Sequence, residues 1–257
     1  MNLTSYQAIH QSAQYLAAAA KSFSPDQSTD FHTSLIWDAE KKSLVSHEIS
    51  EEGARLGLNL EYYSLDVLHP EMGEIASYPI GGANHLDVLN WIGREKYLLG
   101  IERDYSFEMH YELPFPKLHD RSTHSRIEKS ELHQHIGLRN LANEVLHEMK
   151  PVFDRMDDVL VWPHHFDSAV IGYFDDMPQL NSIGLGLAMP DSVSDSPYFY
   201  IAAYKGNKTI ESKDLPLLKS GKWENGDFKG AILSAYNVDV QNGVAFFKEA
   251  INAFLNH

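Results

Sequence analysis

Stretches that alternate apolar and polar residues follow one another in groups along this chain instead of taking turns with helical stretches. Residues 31–37 and 44–49 read as a hairpin around the polar turn 38–42. Residues 56–65 read as a third strand, with Leu56, Leu58, Leu60 and Tyr62 on one face. Residues 159–173, 183–189, 198–204 and 230–235 form a second group. Neighbouring strands joined by short connections pair antiparallel, whereas a doubly wound sheet needs a helix after each strand. The pattern predicts an α+β fold, mainly antiparallel sheet with helices packed on it. It fits a single compact unit over 1–257, and also two similar β-rich halves, 1–125 and 151–257, linked by a long helix over 126–149. Leu56-Gly57-Leu58 and Ile183-Gly184-Leu185 hint at such a relation.

The helical stretches are read from their apolar period. Tyr6, Ile9, Ala13, Leu16 and Ala20 share one face of a helix over 4–22; Thr4 and Gln7 fit a capping box, and Pro25 and Asp26 end it. Asn84 is placed to cap a helix over 85–98. Over 126–149, Ser125 and Glu128 suggest a capping box, and Leu138, Leu141, Val145 and Met149 a buried stripe. A last helix carries Val240, Val244, Phe247, Ile251 and Phe254 at helical spacing. Between helices, Phe107, Met109, Tyr111 and Leu113 alternate, which predicts a strand over 105–113.

Charge narrows the partners. The 257 residues carry a formal charge of −15, with no basic cluster. Binding to nucleic acid is driven largely by lysine and arginine neutralising phosphate, and anionic membranes attract the same residues, so neither partner is expected. No apolar run is long enough to cross a bilayer, and no basic leader precedes the first helix, which suggests a cytoplasmic protein. The absence of cysteine excludes disulfides, thiolate metal sites and a cysteine nucleophile.

The segment Val161-Trp162-Pro163-His164-His165-Phe166-Asp167 concentrates groups that bind metals, move protons or grip ligands. In a regular strand His165 and Asp167 share one face, and Trp162, His164 and Phe166 the other. His165-x-Asp167 then offers two metal ligands, or a histidine oriented by a carboxylate as a general base. Pro163 marks an edge or a bulge, and a bulge would turn both histidines the same way. The bland alternative is a set of buried polar groups satisfied by backbone and water.

Further along, Gly184, Gly186 and Ala188 leave one strand face nearly bare, and Tyr198, Tyr200 and Tyr204 share a face of the next strand. They read either as an aromatic wall around a pocket or, with greater weight, as tyrosines covering the glycine face. Asp191 and Asp195 sit in a polar loop without calcium-loop spacing. His110, His119, His124, His133, His135 and His147 form no H-x-x-x-H pair and read mainly as surface residues. Nucleophile-elbow, phosphate-loop and dinucleotide motifs are absent.

The order Trp162-Pro163-His164-His165-Phe166-Asp167, Ile183-Gly184-Leu185-Gly186-Leu187, Pro197-Tyr198-Phe199-Tyr200 and Gly230-Ala231-Ile232-Leu233 before a final helix resembles a family of uncharacterised bacterial proteins, a domain of unknown function. The resemblance runs from Trp162 onward and implies no activity. It implies a histidine-rich stretch where this chain has Gly221-Lys222-Trp223-Glu224; Glu224 can bind a metal there and Lys222 cannot.

Two functional readings stay open. In the first, a small-molecule-binding protein or enzyme has a pocket lined by His164, His165, Asp167, Tyr198, Tyr200, Trp223 and Glu224. A divalent metal such as zinc, held by His165, Asp167 and Glu224, would support hydrolysis; without metal, His165 oriented by Asp167 would be the base. In the second, the protein is a non-catalytic interaction or scaffold module, and the His-His-x-Asp segment is a hydrogen-bond network that fixes strand register.

Overall fold

The structure, a computed structural model, describes residues 3–25, 30–175 and 180–256. In chain order the first elements are α1 (Leu3–Phe23), β1 (Leu35–Asp38), β2 (Ser43–Ser46), β3 (Arg55–Asn59), β4 (Ser64–His69), β5 (Gly73–Pro79) and α2 (His85–Glu95). There follow α3 (Lys129–Glu148), β6 (Arg155–Met156), β7 (Leu160–Trp162), β8 (Asp167–Tyr173), β9 (Ser182–Ala188), β10 (Tyr198–Lys205), β11 (Lys208–Thr209), β12 (Lys222–Asn225), β13 (Lys229–Ser234) and α4 (Val240–Leu255). The fold is α+β with antiparallel strand pairing, as the grouping of strands predicts.

The chain divides into two compact units: Met1–Gly137 with Val161–Phe166, and Leu138–Leu160 with Asp167–His257. The border falls inside α3, after Gly137, not at either end of the helix.

In the first unit, β1 pairs with Val161 of β7 on one side and with β2 on the other, and β2, β3, β4 and β5 continue the meander. Leu35, Trp37, Leu44, Leu56, Leu58 and Leu65 are buried, and α1 packs on β2 and β3. The helix is buried almost all round, which its run of alanines allows, since a small side chain lets structure approach from every side. Asn84 caps α2, its Oδ1 accepting from Leu86 N at 2.9 Å.

In the second unit the order is β12-β13-β10-β9-β8, with β6 on β8 and β11 on β10. The face carrying Ile183, Leu185, Leu187, Phe199 and Ile201 is fully buried. Phe247 of α4 meets Phe199 edge-on at 5.6 Å, and Gly243 lets α4 come close enough that a Cβ there would lie 2.9 Å from Val145 of α3. Asp239 caps α4 through Asn242 N.

Several elements depart from the sequence expectations for local reasons. The strand expected over 56–65 is two strands, because Tyr63 takes a left-handed φ of 51° and turns the chain after β3. The alternating segment 105–113 has no ladder partner and is not a strand. Helix α3 starts at Lys129, so Ser125 does not cap it, and its buried stripe includes Arg139. Helix α1 already includes Leu3, so Thr4 lies within it rather than at its cap, and Asp26 lies outside the described residues.

Candidate functional site

A helix buried on every side needs cover beyond the sheet, and on α1 residues 105–118 supply it. Over 105–116 the odd-numbered residues turn inward: Phe107, Met109, Tyr111 and Leu113 are partly buried and their even-numbered neighbours are exposed, while at the end Lys117 is exposed and Leu118 partly buried. The inward face is thus the one the alternation picks out, but its partner is a helix, which offers no backbone ladder. Side chains fasten this strap instead. The buried Lys96 amine donates to the Glu102 and Arg103 carbonyls and to Asp104 at its start. Ser106 N donates to Ser22 Oγ, Tyr105 Oη to the Tyr15 carbonyl, Tyr111 Oη to Gln14 Oε1 at 2.6 Å, and Gln11 Nε2 to the Pro116 carbonyl. Point fastenings leave space: a cleft of about 270 Å³ opens between strap and helix, lined by Gln11, Gln14, Phe107, Met109, Tyr111 and Leu113 among others.

The Trp162-to-Phe166 segment reaches the same place. It is not continuous strand. Residues 163–166 form a turn closed by Phe166 N donating to the Trp162 carbonyl, and Phe166 takes a left-handed φ of 58°. Such a φ is strained for a bulky residue; packing holds it, because the buried ring stacks on His10 with centroids 4.6 Å apart. The Pro163 carbonyl accepts from His10 Nε2 at 2.7 Å and from Gln14 Nε2 at 2.9 Å. His10 therefore carries its proton on Nε2, which leaves Nδ1 to accept from Tyr6 Oη. His164 is half-buried, its ring 5.7 Å from that of Tyr111, and His165 is exposed beside it.

The proposed strand geometry for His165 and Asp167 is thereby corrected: His165 sits in the turn, and only Asp167 begins β8. His164 and His165 belong to the first unit, and Asp167, Tyr198, Tyr200, Trp223 and Glu224 to the second.

Within the second unit, Tyr200 Oη donates to Asp167 Oδ2 at 2.5 Å, so these two candidates do meet. Burial, and then the Asp167 carboxylate, push the Tyr200 hydroxyl well above its usual range. Asp167 Oδ1 is buried and has no hydrogen-bond partner among the described residues. The Tyr200 ring fills the space over Gly186, where a Cβ would lie 2.7 Å from its hydroxyl, and Tyr204 lies over Gly184 in the same way. The tyrosines seal the glycine face, and Tyr198 donates instead to Asp191.

Trp223 does not join them. It pairs with Ala231, which puts it on the opposite sheet face from Tyr200, against Phe254 of α4. Glu224 does share the tyrosine face but lies four strand spacings from β8, about 19 Å, and is paired with Lys222 at 2.5 Å. Asp167 and Glu224 of the expected His165, Asp167 and Glu224 metal trio are thus not brought together, and no group of three histidine, aspartate or glutamate side chains among the described residues is placed to hold a metal.

One buried cluster escaped the sequence. Tyr15 of α1 lies between His85 Nδ1 at 2.5 Å and His124 Nε2 at 2.7 Å, and all three are buried. Burial pushes Tyr15 up and both histidines down, His124 to about 4 with His85 adding to the effect. Ligands about 2 Å from one metal stand roughly 3 Å apart, so these shorter distances describe shared protons. His124 and His135 are buried, which corrects their reading as surface residues. No spacing in the sequence links position 15 to 85 or 124.

No helix among the described residues is long and apolar enough to cross a membrane. No protein-family description, curated protein or solved structure matches this chain.

Proposed function

We propose that this protein binds a small molecule in the cleft between α1 and residues 105–118. The observation that carries the reading is the cleft itself, where the hydrogen-bonded pair Gln14 and Tyr111 converges beside Phe107, Met109 and Leu113. Small-molecule sites are built this way, mostly apolar with a few placed polar groups, and about 270 Å³ suits a compact ligand. The Trp162-to-Phe166 turn positions the site, since the Pro163 carbonyl fixes Gln14 and His164 packs near Tyr111. Irregular segments of this length in compact domains are commonly functional.

Ligand-observed NMR with a mixture of small aromatic fragments tests this. Met109→Trp places an indole in the cleft. Fragments that bind the wild type and are lost in Met109→Trp, at unchanged thermal stability, support the reading; no binding, or binding indifferent to Met109→Trp, removes it.

A second reading, a structural clamp with no ligand, is favoured by the Pro163 carbonyl and Tyr200–Asp167 contacts, which hold the chain without needing an occupant. It predicts that Gln14→Ala lowers stability by about 1–3 kcal/mol and that no fragment binds.

A further inference from the structure

The hydrogen bonds around Gln14 leave the cleft with a definite polarity, and from this we infer that it selects a ligand that donates hydrogen bonds: a small primary amine on an apolar body. The inference rests on the cleft being the binding site. Gln14 Nε2 faces two carbonyls, those of His10 at 3.0 Å and Pro163 at 2.9 Å. Only the NH2 end of the amide can sit between two acceptors, so its orientation is forced and both hydrogens are used. Gln14 Oε1 then points to Tyr111, whose single hydroxyl hydrogen is spent on it at 2.6 Å. What remains toward the cleft from this pair is acceptor capacity alone: one lone pair on Gln14 Oε1 and those on Tyr111 Oη, with no other donor among the described residues reaching them. Gln11 has one amide hydrogen committed to the Pro116 carbonyl.

Charge points the same way. Glu108 lines the cleft, and Lys117, the one cation among the lining residues, is exposed and drawn toward Glu112 at 3.7 Å. A formal charge of −15 raises the concentration of cations near the surface. An ammonium would place its hydrogens on Gln14 Oε1 and Tyr111 Oη while its apolar body lies against Phe107, Met109 and Leu113. An ether or carboxylate would face these acceptors with none to give, leaving them desolvated and unpaired.

Titration calorimetry with benzylamine, methyl phenyl ether and benzoate at fixed ionic strength tests the selection. Benzylamine is expected to bind about tenfold or more tighter than either of the others. The preference should shrink in Tyr111→Phe, which removes an acceptor, and by less in Glu108→Gln, which removes a negative charge from the cleft wall. If the ether or benzoate binds as well as the amine and Met109→Trp still blocks all three, donor selection is overturned while the cleft stands. If no probe binds, or Met109→Trp changes nothing, the cleft reading fails and donor selection with it.

Discussion

The two units share a plan and differ in how they finish it. Each sets a helix against an antiparallel meander, and each has a glycine flanked by apolar residues in an inner strand, Gly57 in β3 and Gly186 in β9. In the second unit the bare face is closed from within the sheet, by the Tyr200 and Tyr204 rings of the adjacent strand. In the first unit Gly57 is approached most closely by the tip of Leu68, while the outer side of α1 is covered by a strap tied at separate points. Cover by ladder-registered neighbours packs to the density of a protein interior. Cover by side-chain ties along a helix leaves gaps between the ties, and the cleft is such a gap. The tyrosine-rich region that most resembles a binding wall in the sequence is the better sealed of the two.

The sharpest way to break this contrast is a methyl group at each glycine. Gly186→Ala puts a Cβ 2.5 Å from the Ser168 carbonyl and 2.7 Å from Tyr200 Oη. The backbone cannot yield, and the expected loss in chemical denaturation is about 3 kcal/mol. Next comes pH. His124 has its pKa lowered to about 4 by burial, below its ordinary 6.5, so the unfolded chain binds its proton first. The contribution of a neutral His124 is therefore complete above pH 6.5 and is lost as pH falls toward about 4, on the order of 3 kcal/mol; His85, also lowered, adds in the same direction. Denaturation across that window should show the fall, and His124→Gln, which can still bond Tyr15, should flatten it between pH 6.5 and 5 relative to wild type. The smallest effect belongs to Gly57→Ala. Its Cβ would come within 3.2 Å of Leu68 Cδ1, a flexible tip, and make ordinary 3.7 Å contacts with Leu68 Cγ and the Asp66 carbonyl, and the change should stay within about 1 kcal/mol. Equal costs at Gly57 and Gly186 would erase the distinction between the units.

Much of this architecture is legible along the chain because it rests on local period. The grouped strands, the Asn84 cap, the tyrosine cover over Gly184 and Gly186, and the inward side of residues 107–113 all follow from alternation or capping chemistry. Two kinds of feature do not. Left-handed turn positions filled by aromatic residues, Tyr63 and Phe166, are one, because packing rather than intrinsic preference holds their φ, although the turn before Tyr63 is marked by Asn59, whose Oδ1 accepts from Glu61 N and Tyr62 N. Contacts between distant segments, Tyr15 with His85 and His124, or Gln14 with Pro163 and Tyr111, have no sequence period at all. The candidate site depends on the second kind. The Trp162-to-Phe166 segment does belong to it, through the Pro163 carbonyl and the packing of His164 near Tyr111 rather than through a histidine–aspartate pair.

Methyl NMR of methionine-labelled protein titrated with benzylamine tests the location directly. Met109 lines the cleft in the first unit, and Met189 is buried beside the tyrosine-covered strand in the second. The Met109 methyl signal should move and saturate while that of Met189 stays in place. Movement of Met189 with Met109 unchanged would put the site on the tyrosine and glycine face and contradict the assignment to the cleft.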